Sequence, residues 1–302
     1  MKKINLLLSA LLCTGGMALW AQPNQDGDLL SLIGEENPTI YTSATFKSTR
    51  VINGQSIENV GAGDLDFRIS HRFGTFNSGI HKMFGLDLAS MRLGLEYGVN
   101  DRLMVGIGRS NVNEEVDAFA KYKILRQTES GSKKIPLSIS YFASMVMRGT
   151  AWSNPDQTNY FTSRLFYCHQ LLIARKFNDK FSLQLTPTLV HRNLVPTKAD
   201  YHDIYAIGYG GRYKVTRRLA INGEYFQLIG NRLPSTAQNS LSVGVDLETG
   251  GHVFQLHVTN SSSMNEKGFI TETTGQWGKG DIQFGFNISR VFTIKEKKAI
   301  KE

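Results

Sequence analysis

Cysteine is nearly absent from this chain: Cys13 and Cys168 are the only two in 302 residues. Cys13 sits in a leader-like N-terminal segment, so Cys168 is left without a partner and an internal disulfide framework is excluded. Leu12 rather than a small residue precedes Cys13, which argues against a lipid anchor at that position. Beyond residue 21 there is no long apolar run, which excludes a helical membrane protein. The seven histidines fall into no HExxH or paired Cys/His spacing, and no acidic loop has EF-hand order, so neither a metal nor a cofactor is expected. No G-x-S-x-G occurs and the serines and histidines are scattered, so no catalytic residue is assigned and no enzyme activity is expected. The formal charge of +8 is shared between Lys2 and Lys3, the tail KEKKAIKE and the rest of the chain, with no aromatic-interleaved basic face; nucleic acid is not an expected partner.

What is present is a leader and a pattern. Lys2 and Lys3, an apolar stretch over 4–12 and a cleavage zone ending at Ala21 read as a secretory signal peptide over 1–21. Behind it, many segments of roughly ten residues alternate apolar and polar positions, as the strands of an outer-membrane β-barrel do. Residues 91–97 show the pattern well: Met91, Leu93, Leu95 and Tyr97 share one face, Arg92, Gly94 and Glu96 the other. Leu65, Phe67 and Ile69 oppose Asp66, Arg68 and Ser70, and Leu103, Val105 and Ile107 oppose Met104, Gly106 and Gly108. Tyr97, Tyr122, Tyr141, Tyr205, Tyr209, Tyr213 and Phe292 fall on the apolar parity, as interfacial girdles facing lipid require. A soluble β-sandwich or a large secreted barrel, whose apolar faces point inward, is the rival fold.

Short connections at 98–101, 176–179, 215–217 and 249–251 alternate with long ones at 73–89, 149–159, 229–239 and 261–280. Such alternation predicts a meander with periplasmic turns and exterior loops. Twelve strands are expected between residues 64 and 294, one of them over 160–175. The count becomes fourteen if the strand-like stretch 41–60, with its Asn53-Gly54 hairpin signal, joins the wall. The domain reading is a signal peptide over 1–21, a lead-in over 22–40, the barrel over 41–294 and a basic periplasmic tail over 295–302. Within the lead-in, Asp28 and Gly34 bracket one expected helical turn; a periplasmic tether and an amphipathic plug entering the lumen are both open.

Ionisable groups crowd the polar parity: Arg68, Arg72, Arg92, Lys121, Lys123, Arg164 and Arg212 against Asp66, Glu96, Asp117, Glu224, Asp246 and Glu248. These are the lumen-facing candidates. They imply either a charged pore or binding cavity, or a ladder of cross-strand ion pairs filling a narrow lumen. The expected function is a channel or transporter for a small polar or amphipathic solute. The alternatives are a non-conducting scaffold barrel with a salt-bridged closed lumen and, less favoured, an outer-membrane lipid hydrolase. Outer-membrane lipid and a lumenal solute are the expected partners; the pattern says nothing of oligomeric state.

The stretches TFKSTRVINGQSIE (45–58), LDFRISHRFG (65–74), GLDLASMRLGLEYG (85–98), VGIGRS (105–110), KYKILRQ (121–127) and FGFNISRVF (284–292) together resemble the Bacteroidetes outer-membrane β-barrel family known as domain of unknown function 5777. The resemblance spans nearly the whole chain after the leader, in order, and implies an outer-membrane location and a single barrel. It supplies no substrate. On that footing alone Lys47, Arg50, His71, Asp87, Arg109 and Arg290 join the site candidates, beside Arg72, Arg92 and Glu96.

Overall fold

A computed structural model describes residues 38–131, 133–152, 154–195, 197–198, 200–230 and 236–295. The expected signal peptide, the helical turn at Asp28 and the tail beyond residue 295 lie outside the described residues. Twelve antiparallel strands form a closed barrel: β1 (Asp64–Thr75), β2 (Ala89–Gly98), β3 (Leu103–Ser110), β4 (Val116–Leu125), β5 (Ser138–Met147), β6 (Leu165–Lys176), β7 (Phe181–Arg192), β8 (Asp203–Lys214), β9 (Leu219–Ile229), β10 (Ser240–Thr249), β11 (His252–Thr259) and β12 (Gln283–Thr293). Each strand pairs with its neighbours in sequence, and β12 closes onto β1 through pairs such as Ile288 with Ile69. Closure leaves the wall no unpaired edge.

The side-chain period of two decides what each strand shows outside. On β2, Leu93 and Leu95 are 41% and 43% exposed while Arg92 and Glu96 are fully buried. Ile107, Tyr122, Tyr141, Tyr205, Tyr209 and Tyr213 extend the outward apolar and aromatic surface around the wall. A belt of this extent in water would be an aggregation surface, whereas lipid solvates it.

The short turns share one construction. In β2–β3 the Asn100 carboxamide oxygen accepts the backbone N–H groups of Arg102 and Leu103, both at 2.8 Å. Asn178 does the same for Lys180 and Phe181 in β6–β7, and the Thr216 hydroxyl for Arg218 and Leu219 in β8–β9. Side-chain capping of this kind satisfies amides that a tight reversal leaves unpaired. The β10–β11 turn instead uses Gly250 and Gly251 at φ 45° and 145°, the left-handed region that favours glycine.

Two expectations need correction. The alternation of short and long connections is incomplete: the turn end also carries 126–137, whose residues Thr128–Ser130 pair with Ile40–Tyr41, and the loop end carries the short connection 111–115. The strand expected over 160–175 begins at Leu165, because Phe161–Arg164 forms a 3-10 turn. Arg164 is therefore a loop residue and not a lumen-facing one. Its guanidinium lies 4.0 Å from the Trp152 ring centroid and donates to the carbonyls of Arg148 and Thr150. The count of twelve holds: the wall starts at Asp64, and residues 45–57 fold inward rather than adding the two further strands of the fourteen-strand alternative.

Two segments fill the barrel. The first is a hairpin over 45–57, turned at 51–54, with Val51 N–H donating to the Gly54 carbonyl and Arg50 bridging Gln55. Asn53-Gly54 thus forms the expected reversal, inside the barrel. The second is the β11–β12 insert over 260–273, which carries the helix α1 (Glu266–Thr271), capped by the Asn265 side chain accepting from Gly268 N–H. Phe46, Val51 and Ile57 of the hairpin cluster with Met104, Phe119, Phe142 and Leu172 of the wall. Phe269 and Ile270 of α1 cluster with Cys168, Val190, Ile204 and Phe226, the Phe226 and Phe269 rings meeting edge to face at 4.9 Å.

Candidate functional site: the occupied lumen

The hairpin is held at its tip by one carboxylate. Glu224, inward on β9 and 3% exposed, accepts the backbone N–H groups of Ile52 (3.1 Å), Asn53 (2.8 Å) and Gly54 (3.0 Å). Three consecutive amides converging on an anion form a nest, a stronger grip than neutral hydrogen bonds provide. Around it the wall bonds the rest of the turn. Arg72 reaches the Asn53 side chain (2.6 Å) and Asn287 (3.1 Å), while Asn287 and Gln255 donate to the carbonyls of Ile52 and Val51.

The arms of the hairpin meet a cluster of charges. Glu96 takes Arg50 (3.2 Å) and the Thr49 hydroxyl, and Arg68 binds Ser48, Thr49 and Asp66 at 2.8, 2.8 and 3.0 Å. Lys121 donates to Gln55 and to the carbonyls of Ser56 and Glu58, at 3.2, 2.9 and 2.6 Å. Arg50 and Gln55 also contact Glu266 on α1, so the hairpin and the insert are joined inside the lumen. Arg92 and Asp117 make a wall-to-wall pair with two bonds, at 2.8 and 2.5 Å. At the loop end Lys267 of α1 pairs with Glu115 (2.7 Å) and Glu272 (2.6 Å), with Arg148 also on Glu272 (2.7 Å).

Of the lumen-facing candidates, Arg68, Arg72, Arg92, Glu96, Lys121, Arg212, Glu224 and Asp246 are buried inside the barrel. Lys123 is half-buried near the turn end, in a cavity of about 220 Å³ that also takes in Glu58 and Arg126. The contacts are of two kinds: Arg72, Lys121 and Glu224 engage the hairpin, whereas Arg92 with Asp117 and Asp246 with Gln255 bond between wall strands. Among the family-motif residues, Arg50 belongs to the hairpin and Lys47 pairs with Glu248. The other four lie away from the lumen. His71 stacks outward on Phe286 at 5.0 Å, Asp87 is exposed in the β1–β2 loop, Arg109 lies 4.0 Å from Glu114, and Arg290 lies over Phe292. Parity missed the apolar inner positions Phe142, Leu172, Val190 and Ile204. Their trace in the sequence is a strand apolar on both faces, as in β5, where Phe142 and Val146 oppose Tyr141 and Met145.

Outside the wall, Asp281 organises the end of the insert. Its carboxylate accepts the Gln276 backbone N–H (3.0 Å) and the Asn77 amide (2.6 Å), which hold its pKa below the ordinary aspartate value.

No curated protein matches the chain. Solved structures similar to it include the KdgM porin (12% identity, 76% of this chain and 99% of that one, TM-score 0.46) and the NanC porin (8%, 76% and 98%, 0.46). A variant of the Rhodopseudomonas blastica porin is also similar (13% identity, 67% and 55%, TM-score 0.32). No function is carried from these proteins to this chain. The family described as Membrane bound beta barrel domain (DUF5777) matches residues 46–292, from the lumenal hairpin to the last wall strand, and the chain therefore belongs to that family.

Proposed function

We propose that this chain is an exported outer-membrane barrel acting as a gated channel for a small polar or amphipathic solute, held shut by its own hairpin in the described conformation. The observation that carries the reading is the polar character of the hairpin's seat on β1, β2, β4, β9 and β12. A barrel needed only as a sealed post is closed more stably by apolar packing, because buried charges lose hydration that their pairing only partly returns. Here Arg68, Arg72, Glu96, Lys121 and Glu224 are buried against the hairpin, and Asp66 Oδ1 and Arg72 Nε are buried with no hydrogen-bond partner. Polar walls of this kind suit a path that water enters when the hairpin leaves. The turn end is assigned to the periplasm and the loop end to the exterior, from loop length.

A second reading, a non-conducting scaffold barrel, draws on the tightness of the seat: the space between the hairpin and β7–β9 is a cavity of about 10 Å³. A lipid hydrolase is not proposed. Two of the outward histidines are bonded to other groups, His191 to Asp203 and Asn193 and His169 to Tyr141, with no serine in either set. Liposome swelling distinguishes the first two. The channel reading expects vesicles carrying a variant with 47–56 replaced by a short glycine-serine linker to admit small sugars and amino acids much faster than vesicles carrying the parent. Equal impermeability of both, with each variant folded, supports the scaffold.

A further inference from the structure

At the loop end, a cavity of about 290 Å³ lies between the stretch that follows β5, the 3-10 turn that leads into β6 and residues 194–195 beyond β7. We infer that it is a binding site for a small amphipathic carboxylate, an organic acid with one anionic head on an apolar body. Its volume stands at the lower end of the roughly 300–1,000 Å³ typical of small-molecule sites, so the ligand is small. The walls supply the apolar part. Trp152, Leu194 and Val195 line the cavity, and Phe166, inward on β6 and 4% exposed, joins them, which sets the cavity inside the rim and off the lipid-facing surface.

The head group has one cation to meet. Of the two guanidiniums on the lining, Arg148 is already engaged, its Nη2 donating to Glu272 at 2.7 Å. Arg164 has no carboxylate partner among the described residues. Its Nη1 donates to the carbonyls of Arg148 (2.9 Å) and Thr150 (2.6 Å), and its guanidinium carbon lies 4.0 Å from the Trp152 ring centroid. These contacts leave Nε and Nη2, the edge of an arginine that grips a carboxylate with two parallel bonds. Arg164 is half-buried, and neither of those nitrogens is sealed from solvent. A guanidinium already held by ring and backbone loses little freedom when an anion docks on its free edge.

The surroundings select among ligands. Beyond the cavity, Lys267 Nζ stands 4.3 Å from the Phe166 ring centroid and the Arg148 guanidinium 5.2 Å. Those two cations face Glu115 and Glu272, so the charge of Arg164 is in excess at this part of the mouth. No acidic side chain, histidine or cysteine lines the cavity, so a metal ion finds no donor set and a cationic ligand nothing to pair with. A neutral ligand would leave the excess charge unmatched, and a small hydrated anion would leave the apolar walls unmatched. The site gives a chemical class to the solute of the channel reading and rests on that reading for its use, though binding itself needs no conduction.

Isothermal titration of the full-length protein in a non-ionic detergent tests the inference. The probe is 3-phenylpropionate. Acetate, which keeps the head without the body, and 3-phenylpropan-1-ol, which keeps the body without the charge, are the comparators. Expected is saturable binding of the acid, with both comparators at least tenfold weaker and a ligand-dependent change in tryptophan emission that Trp152→Phe removes. Arg164→Gln should weaken the acid at least tenfold and leave the alcohol unchanged, with Arg164→Lys between parent and Arg164→Gln. Leu194→Glu, at a position 52% exposed, serves if Arg164→Gln fails to fold, and should weaken the acid to the same extent. No saturation by the acid through the millimolar range, equal affinity for acid and alcohol, or affinity unchanged in every folded variant overturns the inference. A silent linker-replaced barrel that still binds the acid refutes the gate alone, and a conducting one whose parent does not bind it refutes this site alone.

Discussion

At the scale of single residues, Glu224 is the position on which the hairpin's place depends most, since it alone receives three backbone donors. Glu224→Leu leaves those amides unpaired in a buried site, a loss on the order of 3 kcal/mol. The expected result is trypsin cleavage after Lys47 or Arg50 in the folded variant, where the parent resists; Glu224→Gln, which keeps an acceptor, should behave between the two. Leu95 tests the outer face. Leu95→Arg should cost about 2–4 kcal/mol if its level is the bilayer midplane, measured by urea unfolding from lipid vesicles; unfolding like the parent would invert the face assignment. Asp281 has a direction with pH. With its pKa depressed, the stabilisation from Gln276 and Asn77 is fully present above the ordinary aspartate value. It is lost as pH falls through the lowered one. Amide exchange at Gln276 should therefore gain protection relative to an Asp281→Asn variant only on the high-pH side of that transition.

At the scale of elements, the wall was legible and its contents were not. Period-two patterning around Leu93, Leu95 and Ile107, together with Asn100, Asn178 and Thr216 in the turns, placed twelve strands, because both signals are local. The hairpin over 45–57 carries the same local signals as a wall hairpin, Asn53-Gly54 included. What puts it inside is non-local: amides of its tip meet Glu224, some 170 residues away in the chain. Likewise nothing near Arg164 foretells that it ends a 3-10 turn with its guanidinium over the Trp152 ring. The charged parity was visible, but which of its members pair along the wall, as Arg92 does with Asp117, and which turn to the plug, as Lys121 and Glu224 do, depends on the segment that fills the lumen. Gly98 marks where the element before the wall crosses it. A Cβ there would lie 2.0 Å from the Gly61 carbonyl oxygen, and backbone has to move, so Gly98→Ala should destabilise the folded barrel by about 1–3 kcal/mol in the same urea assay.

At the scale of the whole molecule, closure of the sheet and occupation of its lumen set two questions, orientation and gating. Orientation follows from loop length: in intact cells a cysteine at Ser262 should react with an impermeant maleimide and one at Asn100 should not, and the reverse pattern would invert the topology. Gating is the central claim, and planar-bilayer recording of the parent beside the protein with 47–56 replaced by a glycine-serine linker tests it most directly. The account predicts a parent that is closed apart from brief openings and a variant with long, stable open periods. A variant that folds, inserts and stays as silent as the parent under voltage would contradict it.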